Sequence, residues 1–385
     1  MSASLGLRNL TRQHRGQQAP ALNGLDLDIP AGTCLALLGP SGSGKSTALR
    51  LIAGLDAPTG GTVLVDGDDV TNAAAEKRSI AMVFQRSLLF PHLSVIDNVA
   101  FAARAAGLSR RESRNASQRY LELVQLGDFT DRSVADISGG QAQRVALARA
   151  LAAEPRVLLL DEPFSALDSV LRTDMYALLR AIRDELNPTI VVVTHDQAEA
   201  AAVADRIAVL IDGALQHHSD VRTAYVRPST LAVHRLMGGL NEIRGNVASR
   251  VHHSDLGAHA LPDDVCVRDG PATLVMRHEM VRLVPPNASP ITGTVTSLQP
   301  VGIRQRACVR IGTSSVFVEL PSEVSVTTGT EVGLELPADA LNVIATGPEV
   351  LIDDTEPARS YYPDEPVGLG SDGGGVRPRE FNDAD

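Results

Sequence analysis

Residues 39–46 read Gly-Pro-Ser-Gly-Ser-Gly-Lys-Ser, a pattern that predicts a binding loop for the phosphates of a nucleoside triphosphate. The apolar residues 34–38 before it are typical of a strand and residues 45–53 after it of a helix, which is the context this pattern requires. The glycines let the backbone N–H groups turn inward as an anion nest, and the helix directs its positive end at the phosphates. Lys45 would reach the β- and γ-phosphates, and the Ser46 hydroxyl would ligate Mg²⁺.

A glycine-rich turn that merely precedes a lysine is the alternative interpretation. The usage of basic residues weighs against it, because Lys45 and Lys77 are the two lysines of the chain and arginine supplies the remaining Lys and Arg charge. A slim ammonium fits among phosphates where a broad guanidinium would not. We therefore predict nucleotide contacts from Gly39, Pro40, Ser41, Gly42, Ser43, Gly44, Lys45, Ser46 and Thr47.

Two carboxylates, Asp161 and Glu162, follow the apolar run 157–160. Ligands of open α/β sheets bind at the carboxyl ends of strands, so both acids should face the phosphate loop. Asp161 would orient Mg²⁺ or its waters, and Glu162 would act as the general base for the attacking water. Taken alone, the pair would be better explained as a strand end followed by a solvated acidic turn, but the presence of Lys45 upstream favours the site.

A second candidate anion site lies at residues 137–141, Ile-Ser-Gly-Gly-Gln, which precede a helical stretch over residues 142–153. Serine and glycine at a helix start present free N–H donors and a favourable dipole to an anion. An ordinary capped helix is the plainer interpretation. A second phosphate-directed helix end makes sense if two copies of the chain meet around one nucleotide.

The elements that must position these residues alternate between strand and helix up to about residue 235, which indicates an α/β fold with a largely parallel sheet. The predicted strands span residues 33–38, 62–65, 79–84, 157–160, 189–193 and 206–211. Residues 94–136 are helical in pattern, with Ser109 as an N-cap and Gly127 as a C-cap. After about residue 238, short β-rich segments separated by turn residues predict a small all-β barrel or sandwich, with strands over residues 291–297, 306–311, 315–320 and 331–336.

Composition excludes several classes of protein. A chain of 385 residues suggests two or three domains, and a net charge of −11 without a basic run argues against a nucleic-acid binder. Its three cysteines are far apart and lack metal-ligand spacing, which suits a reducing compartment. We find no secretory signal and no apolar run of bilayer length.

Together these motifs resemble the nucleotide-binding subunit of an ATP-binding cassette (ABC) transporter, over roughly residues 1–235. In the order of that family, the chain shows the Walker A loop at 39–46, the Q-loop glutamine Gln85, the signature at 137–141, the Walker B acids Asp161 and Glu162, the D-loop at 165–168 and the switch histidine His195. The implied fold is a P-loop NTPase ABC cassette with an inserted helical subdomain.

The resemblance implies that two copies pair head to tail, with each ATP and Mg²⁺ between one copy's Walker A loop and the other copy's signature. Nucleotide contacts would then also come from Ser138, Gly139, Gly140, Gln141 and Asp168. Gln85 would contact Mg²⁺ or the lytic water, so the implied metal ligands are Ser46, Gln85 and Asp161 and the implied catalytic residues are Glu162, His195 and Gln85. The aromatic residue that stacks on adenine in the family is absent, and His14 or Arg15 stands in its place.

The remaining segments resemble parts of import-type members. Residues 86–94 resemble the surface that receives a coupling helix from a membrane permease. Residues after 238 resemble an oligomer-binding-fold (OB-like) regulatory domain, through residues 275–279, a Gly293-Thr294-Val295 strand and a Gly302 turn, although the proline of the family's Arg-Pro-Glu element is missing. The expected domains are 1–237, with a helical subdomain at about 92–136, then 238–352, and an acidic disordered tail over 353–385.

The implied function is ATP hydrolysis that powers import through separate permease subunits, with an extracytoplasmic substrate-binding protein delivering cargo and no nucleic-acid partner. The subunit would sit at the cytoplasmic face of the plasma membrane. Ferric iron or a polyamine is slightly favoured as cargo by residues 239–245. The alternatives are an importer of sugar, sulfate or molybdate, an exporter, or an ABC-type ATPase outside transport.

Overall fold

The computed structural model describes residues 2–16, 18–165, 167–263, 265 and 267–346. In its first part strands and helices alternate, as the sequence predicts. The strands there are β1 (Leu5–Arg12), β2 (Leu22–Ile29), β3 (Cys34–Leu38), β4 (Gly60–Val65), β5 (Asp68–Asp69), β6 (Ile80–Val83), β7 (Val157–Asp161), β8 (Thr189–Thr194), β9 (Arg206–Ile211) and β10 (Ala214–Asp220). The helices are α1 (Lys45–Ala53), α2 (Val95–Val99), α3 (Phe101–Ala105), α4 (Arg110–Leu123), α5 (Gly139–Leu151), α6 (Ser169–Leu186), α7 (Gln197–Val203), α8 (Val221–Val226) and α9 (Leu231–Leu236).

A six-stranded sheet in the order β10-β9-β3-β8-β7-β6 carries the predicted site. Strands β6, β7, β8, β3 and β9 are parallel, and β10 adds an antiparallel edge. The central strands β3 and β8 are buried along their whole length because both faces of the sheet are covered. Their carboxyl ends therefore lie along one edge, where β3 leads into the phosphate loop and β7 into the two acids.

The two faces of this sheet bury different neighbours. On β3, Leu35 and Leu37 point into a core shared with α1 and with a four-stranded antiparallel sheet in the order β2-β1-β4-β5. Ala36 and Leu38 point to the opposite face, into a core shared with α5 and α6. The period-2 alternation of strand side chains places consecutive residues in separate cores, which fixes the register of β3 between them.

The segment between β6 and β7 is helical, as predicted. One of its two predicted helix caps is present and the other is not. Ser109 caps α4 through a capping box with Glu112. Gly127 is not the C-cap: α4 ends at Leu123 with Val124 as its cap, and Gly127 begins the 3₁₀ turn Gly127–Phe129. Gln125 takes a left-handed φ of 62°, and the Leu126 N–H donates to the Leu121 carbonyl at 2.7 Å, so a residue other than glycine closes this helix.

Residues after α9 form an all-β region, which confirms the predicted class of structure. Its strands are β11 (Asn241–Ala248), β12 (Val251–Ser254), β13 (Gly257–Ala260), β14 (Gly270–Met276), β15 (Arg282–Val284), β16 (Thr292–Val301), β17 (Arg304–Ile311), β18 (Ser314–Leu320), β19 (Glu331–Glu335) and β20 (Asn342–Ala345). They make two five-stranded antiparallel sheets, β13-β12-β11-β14-β20 and β15-β19-β16-β17-β18. One hydrophobic core with members from both sheets, including Leu274 and Val309, holds the region together.

Residues 1–345 form one compact unit, so the predicted boundary between residues 237 and 238 stays a prediction. Hydrogen bonds join the two parts: the Arg277 guanidinium donates to the Met237 carbonyl at 2.6 Å, and Asn342 donates to the Pro228 carbonyl at 3.1 Å. The predicted acidic tail, 353–385, lies outside the described residues. None of the described helices is long and apolar enough to cross a membrane.

Candidate nucleotide-binding and hydrolysis site

The loop between β3 and α1 has the shape of an anion nest because two of its glycines adopt left-handed backbone angles. Gly42 has φ 81° and Gly44, the N-cap of α1, has φ 98°. A Cβ atom at Gly44 would stand 2.3 Å from the Ala21 carbonyl oxygen, and one at Gly39 would stand 2.1 Å from that of Leu210. Neither position admits a side chain. Ser41 and Gly42 are exposed at the mouth of the loop, while Ser43 is buried and Pro40, Gly44 and Thr47 are half-buried.

Lys45 is buried and folded back over this loop. Its ammonium donates to the carbonyl oxygens of Gly39, at 2.7 Å, and Pro40, at 2.8 Å. Burial lowers the pKa of Lys45, and the charges of Glu162 and Asp161 oppose that effect. The ammonium is therefore held at the loop by backbone dipoles and by acids from β7, so phosphate oxygens can replace the carbonyl partners without moving α1.

Ser46 and Asp161 meet beside the loop. The Ser46 hydroxyl donates to Asp161 Oδ1 at 3.0 Å, and burial raises the pKa of Asp161 while this hydrogen bond opposes the rise. A hydroxyl and a carboxylate side by side are hard oxygen donors of the kind Mg²⁺ prefers, and the cation's charge would relieve the buried acid. These two residues therefore fit a Mg²⁺ ion next to bound phosphates.

Two predicted site residues, Gln85 and His195, converge on a third, Glu162. Gln85 Nε2 donates to Glu162 Oε2 at 3.0 Å, and His195 Nδ1 lies 3.5 Å from Glu162 Oε1. Glu162 has a left-handed φ of 46°, which is strained for a non-glycine residue and turns its side chain at the end of β7. A carboxylate held between an amide and an imidazole can take a proton from water and keep its orientation while doing so.

The segment after Ser165 extends this cluster. Gln85 Nε2 also lies 3.4 Å from the Ser165 hydroxyl, which itself donates to the Glu162 carbonyl at 3.0 Å. Asp168 caps α6 by accepting the N–H groups of Val170 and Leu171. Its side chain is thus used locally, and its predicted contact with a nucleotide or a partner copy remains a prediction.

The second candidate anion site has a vacant approach from outside. Helix α5 begins at Gly139, three residues earlier than the predicted helical stretch, and Ser138 caps it through a reciprocal capping box with Gln141. A Cβ atom at Gly139 would meet no atom within 4 Å, and one at Gly140 would make ordinary contacts. The chain's own packing does not require these glycines. Close approach of a molecule from outside would explain them.

The part of the predicted site where adenine would stack has fewer contacts between site residues than the phosphate end. His14 is half-buried and Arg15 is exposed, and the charge of His14 helps to lower the pKa of Asp56, after the larger effect of the Arg50 hydrogen bond. The choice between His14 and Arg15 for stacking on adenine stays a prediction.

Sequence reasoning missed two residues that support the site. Glu199, in α7, is buried and accepts a hydrogen bond from Thr194, and Arg172, in α6, lies 3.6 Å from Glu199. The available signal was the position of Glu199 between Thr-His-Asp and an alanine run, where a carboxylate on the inward face of a helix must have a partner.

Comparison with known proteins places the chain in a family. Residues 22–165 match the family model described as "ABC transporter". The chain is 39% identical over 323 residues to the Fe(3+) ions import ATP-binding protein FbpC 1 of Rhizobium meliloti, covering 83% of this chain and 91% of that protein. It is also 39% identical over 337 residues to the sulfate/thiosulfate import ATP-binding protein CysA of Bradyrhizobium diazoefficiens, covering 86% and 97%.

Among solved structures, the chain resembles the ATP-binding cassette MJ0796, a dimer in a post-hydrolysis state bound to ADP and Pi. The TM-score is 0.52 at 35% identity, over 57% of this chain and 99% of that one. The chain belongs to the ABC transporter family, as an ATP-binding subunit that hydrolyses ATP.

Proposed function

We propose that this subunit powers solute import by hydrolysing MgATP between two copies of itself. The observation that carries the proposal is the convergence of Gln85 and His195 on Glu162 at the edge of the sheet that also bears Lys45. In this mechanism the nest and Lys45 would hold the phosphates, and Ser46, Asp161 and Gln85 would hold Mg²⁺, whose charge would offset that of the phosphoryl oxygens. Glu162 accepts a proton from the attacking water, and His195 contacts the γ-phosphate.

The open approach to Gly139 and Gly140 supports the second half of the proposal. The Ser138 hydroxyl and the first N–H groups of α5 would face the γ-phosphate of ATP held by the partner copy. The resemblance to a dimeric cassette supports this arrangement. One site then consists of the phosphate loop of one copy and the α5 start of the other.

A surface beside the site fits a membrane partner. Leu88 is exposed with a left-handed φ of 43°, and Arg149 holds its carbonyl at 2.9 Å. Asn98 is fully buried and exchanges two hydrogen bonds with the backbone of Phe90. We propose that this braced loop, with its exposed Leu88, receives a helix from a permease and that the subunit lies at the cytoplasmic face of the membrane.

Ferric iron is the cargo we favour, since relatives named for Fe(3+) import include those of Rhizobium meliloti and Haemophilus influenzae, the latter 43% identical over 258 residues. A substrate-binding protein would deliver it. Sulfate is the second candidate, because a relative named for sulfate/thiosulfate import is equally similar in sequence. Uptake of radiolabelled Fe³⁺ and of radiolabelled sulfate, by cells with and without this chain, separates the two.

The variant Glu162→Gln tests the chemical step. It keeps the side chain's size and its hydrogen bond with Gln85 while removing the base, so ATP should still bind and turnover should fall by about 10²–10⁴-fold. Turnover is measured as phosphate release by the purified protein. Wild-type turnover in Glu162→Gln would rule out Glu162 as the general base.

A further inference from the structure

Arg172 links two loops of the site from behind. It lies in the first turn of α6, the helix that Asp168 caps. Its guanidinium donates to the Leu167 carbonyl at 3.3 Å. The same guanidinium lies 3.6 Å from Glu199 Oε1 and 3.9 Å from Asp196 Oδ2. One side chain therefore contacts the loop before α6 and the residues on either side of the α7 start.

Glu199 fixes the residues that flank His195. Its Oε2 accepts the Thr194 hydroxyl hydrogen, and the Thr194 oxygen accepts the Asp196 N–H at 3.0 Å. The Asp196 carboxylate in turn accepts the N–H groups of Ala198 and Glu199. His195 is exposed between two residues that this short network holds in place, so its ring depends on Glu199 for its approach to Glu162.

Burying the Glu199 carboxylate costs free energy, because its charge loses its water. The Glu199 side chain is 7% exposed, and burial raises its pKa against the opposing effects of the Thr194 hydrogen bond and the Arg172 charge. An apolar residue of similar size would fill the same space without desolvating a charge. Helix α7 is already capped by Asp196, so the carboxylate is not needed to begin it.

We propose that Arg172 and Glu199 are positioning residues for ATP hydrolysis, which hold His195 at the correct distance from Glu162 and tie that distance to the loop before α6. The proposal rests on the role proposed above for His195. Through it, a movement of the loop that carries Asp168, which we predict to face the partner copy, would be transmitted to His195. The pair would act through the two loops that it joins.

The test compares kcat and KM for ATP in Glu199→Gln, Arg172→Met and the double variant. Each single change should lower kcat by about 10–100-fold, the range expected for a displaced catalytic group, and leave KM within about twofold. The double variant should be no slower than the worse single one, because the two residues act as a unit. Arg172→Lys, which keeps the charge and loses the fork, should fall between wild type and Arg172→Met.

Arg183→Met is the matched control. Arg183 also lies on α6, donates to a backbone carbonyl, that of Val203 at 3.1 Å, and pairs with a carboxylate, that of Asp205 at 2.5 Å, but it contacts neither loop. It should lower thermal stability and leave kcat unchanged. A kcat loss in Arg183→Met equal to that in Arg172→Met would overturn the proposal.

Variants made in the His195→Ala protein separate the positioning role of Arg172 and Glu199 from the role of His195 itself. In His195→Ala, adding Glu199→Gln should cause no further loss of kcat, because the residue it positions is gone. A multiplied loss in that background, or wild-type kcat in Glu199→Gln itself, would refute the link. If His195→Ala alone kept full kcat, the proposed role of His195 would fail, and the Arg172–Glu199 proposal with it.

Discussion

Arg78 stabilises the helix that carries the phosphate loop, although no ion pair of Arg78 occurs among the described residues. Its side chain is buried, and it donates to the Leu51 and Ile52 carbonyls at the end of α1, at 2.8 and 3.0 Å. It also donates to the carbonyls of Ala73 and Thr71, at 3.0 and 2.7 Å. The cation thus caps the negative end of α1 and joins it to the loop that follows β5.

We predict that Arg78→Met destabilises the protein strongly. Two buried and two half-buried carbonyls lose a charged donor, and a buried polar group left without its partner costs about 1–3 kcal/mol. Burial already lowers the pKa of Arg78, so part of the gross hydrogen-bond energy is offset by desolvation, and we adopt about 3 kcal/mol. At about 2–4 °C per kcal/mol, the melting temperature should fall by about 6–12 °C.

Arg50→Met is the matched comparison, because Arg50 lies near the same end of α1 and has an ion pair. Its side chain is 49% exposed and lies 2.7 Å from Asp56. Exposed pairs contribute about 0.2–1 kcal/mol, so Arg50→Met should lower the melting temperature by no more than about 4 °C. Calorimetric melting of both variants decides the matter. Equal shifts, or a larger shift for Arg50→Met, would refute the claim that burial and carbonyl contacts outweigh a visible salt bridge.

Three further outcomes follow from the site and its surroundings. Lys45→Ala should weaken MgATP binding by about 10–100-fold in titration calorimetry, because the nest keeps its backbone donors and loses a charge worth about 1.5–3 kcal/mol; unchanged affinity would reject the site. Burial lowers the pKa values of His234 and His278 to about 4, below the ordinary 6.5, so both are neutral in the folded protein. The unfolded chain then binds more protons between pH 6.5 and 4, and the free energy of unfolding should fall as pH drops through that window; a melting temperature that holds steady from pH 7 to pH 4.5 would contradict this. Burial also raises the pKa of Cys34 to about 12, so iodoacetamide should not label Cys34 in the folded protein and should label it in urea, as read by mass spectrometry.

The parallel sheet and its site edge were predictable from sequence because their signals are local. The run Val157–Asp161 is apolar up to its last residue, so it predicts both a buried strand and the place where that strand ends. The same holds for the loop before Lys45, where glycine spacing and one lysine define the chemistry. The family's order of motifs then supplied Gln85, Ser138 and His195, whose roles no spacing rule would have assigned.

What could not be predicted depends on contacts between distant segments. Gly127 looked like a helix end, yet Gln125, whose side chain accepts a hydrogen bond from Arg144 of α5, takes the left-handed conformation that closes α4. Strands β1, β2 and β10 gave weak patterns, since each is only partly buried and includes polar residues. Glu199 and Arg172 lie 27 residues apart in sequence, and only the packing of α6 against α7 brings them together.

The central claim is that each ATP is hydrolysed between the phosphate loop of one copy and the α5 start of the other. A heterodimer of Lys45→Ala and Ser138→Arg, isolated with two different affinity tags, tests it most directly. Both homodimers should be inactive, because every site in them has one defective half. The heterodimer has one site with two intact halves, so it should hydrolyse ATP at up to about half the wild-type rate if its two sites act independently. A heterodimer as inactive as both homodimers, or a Ser138→Arg homodimer with normal turnover, would contradict the account.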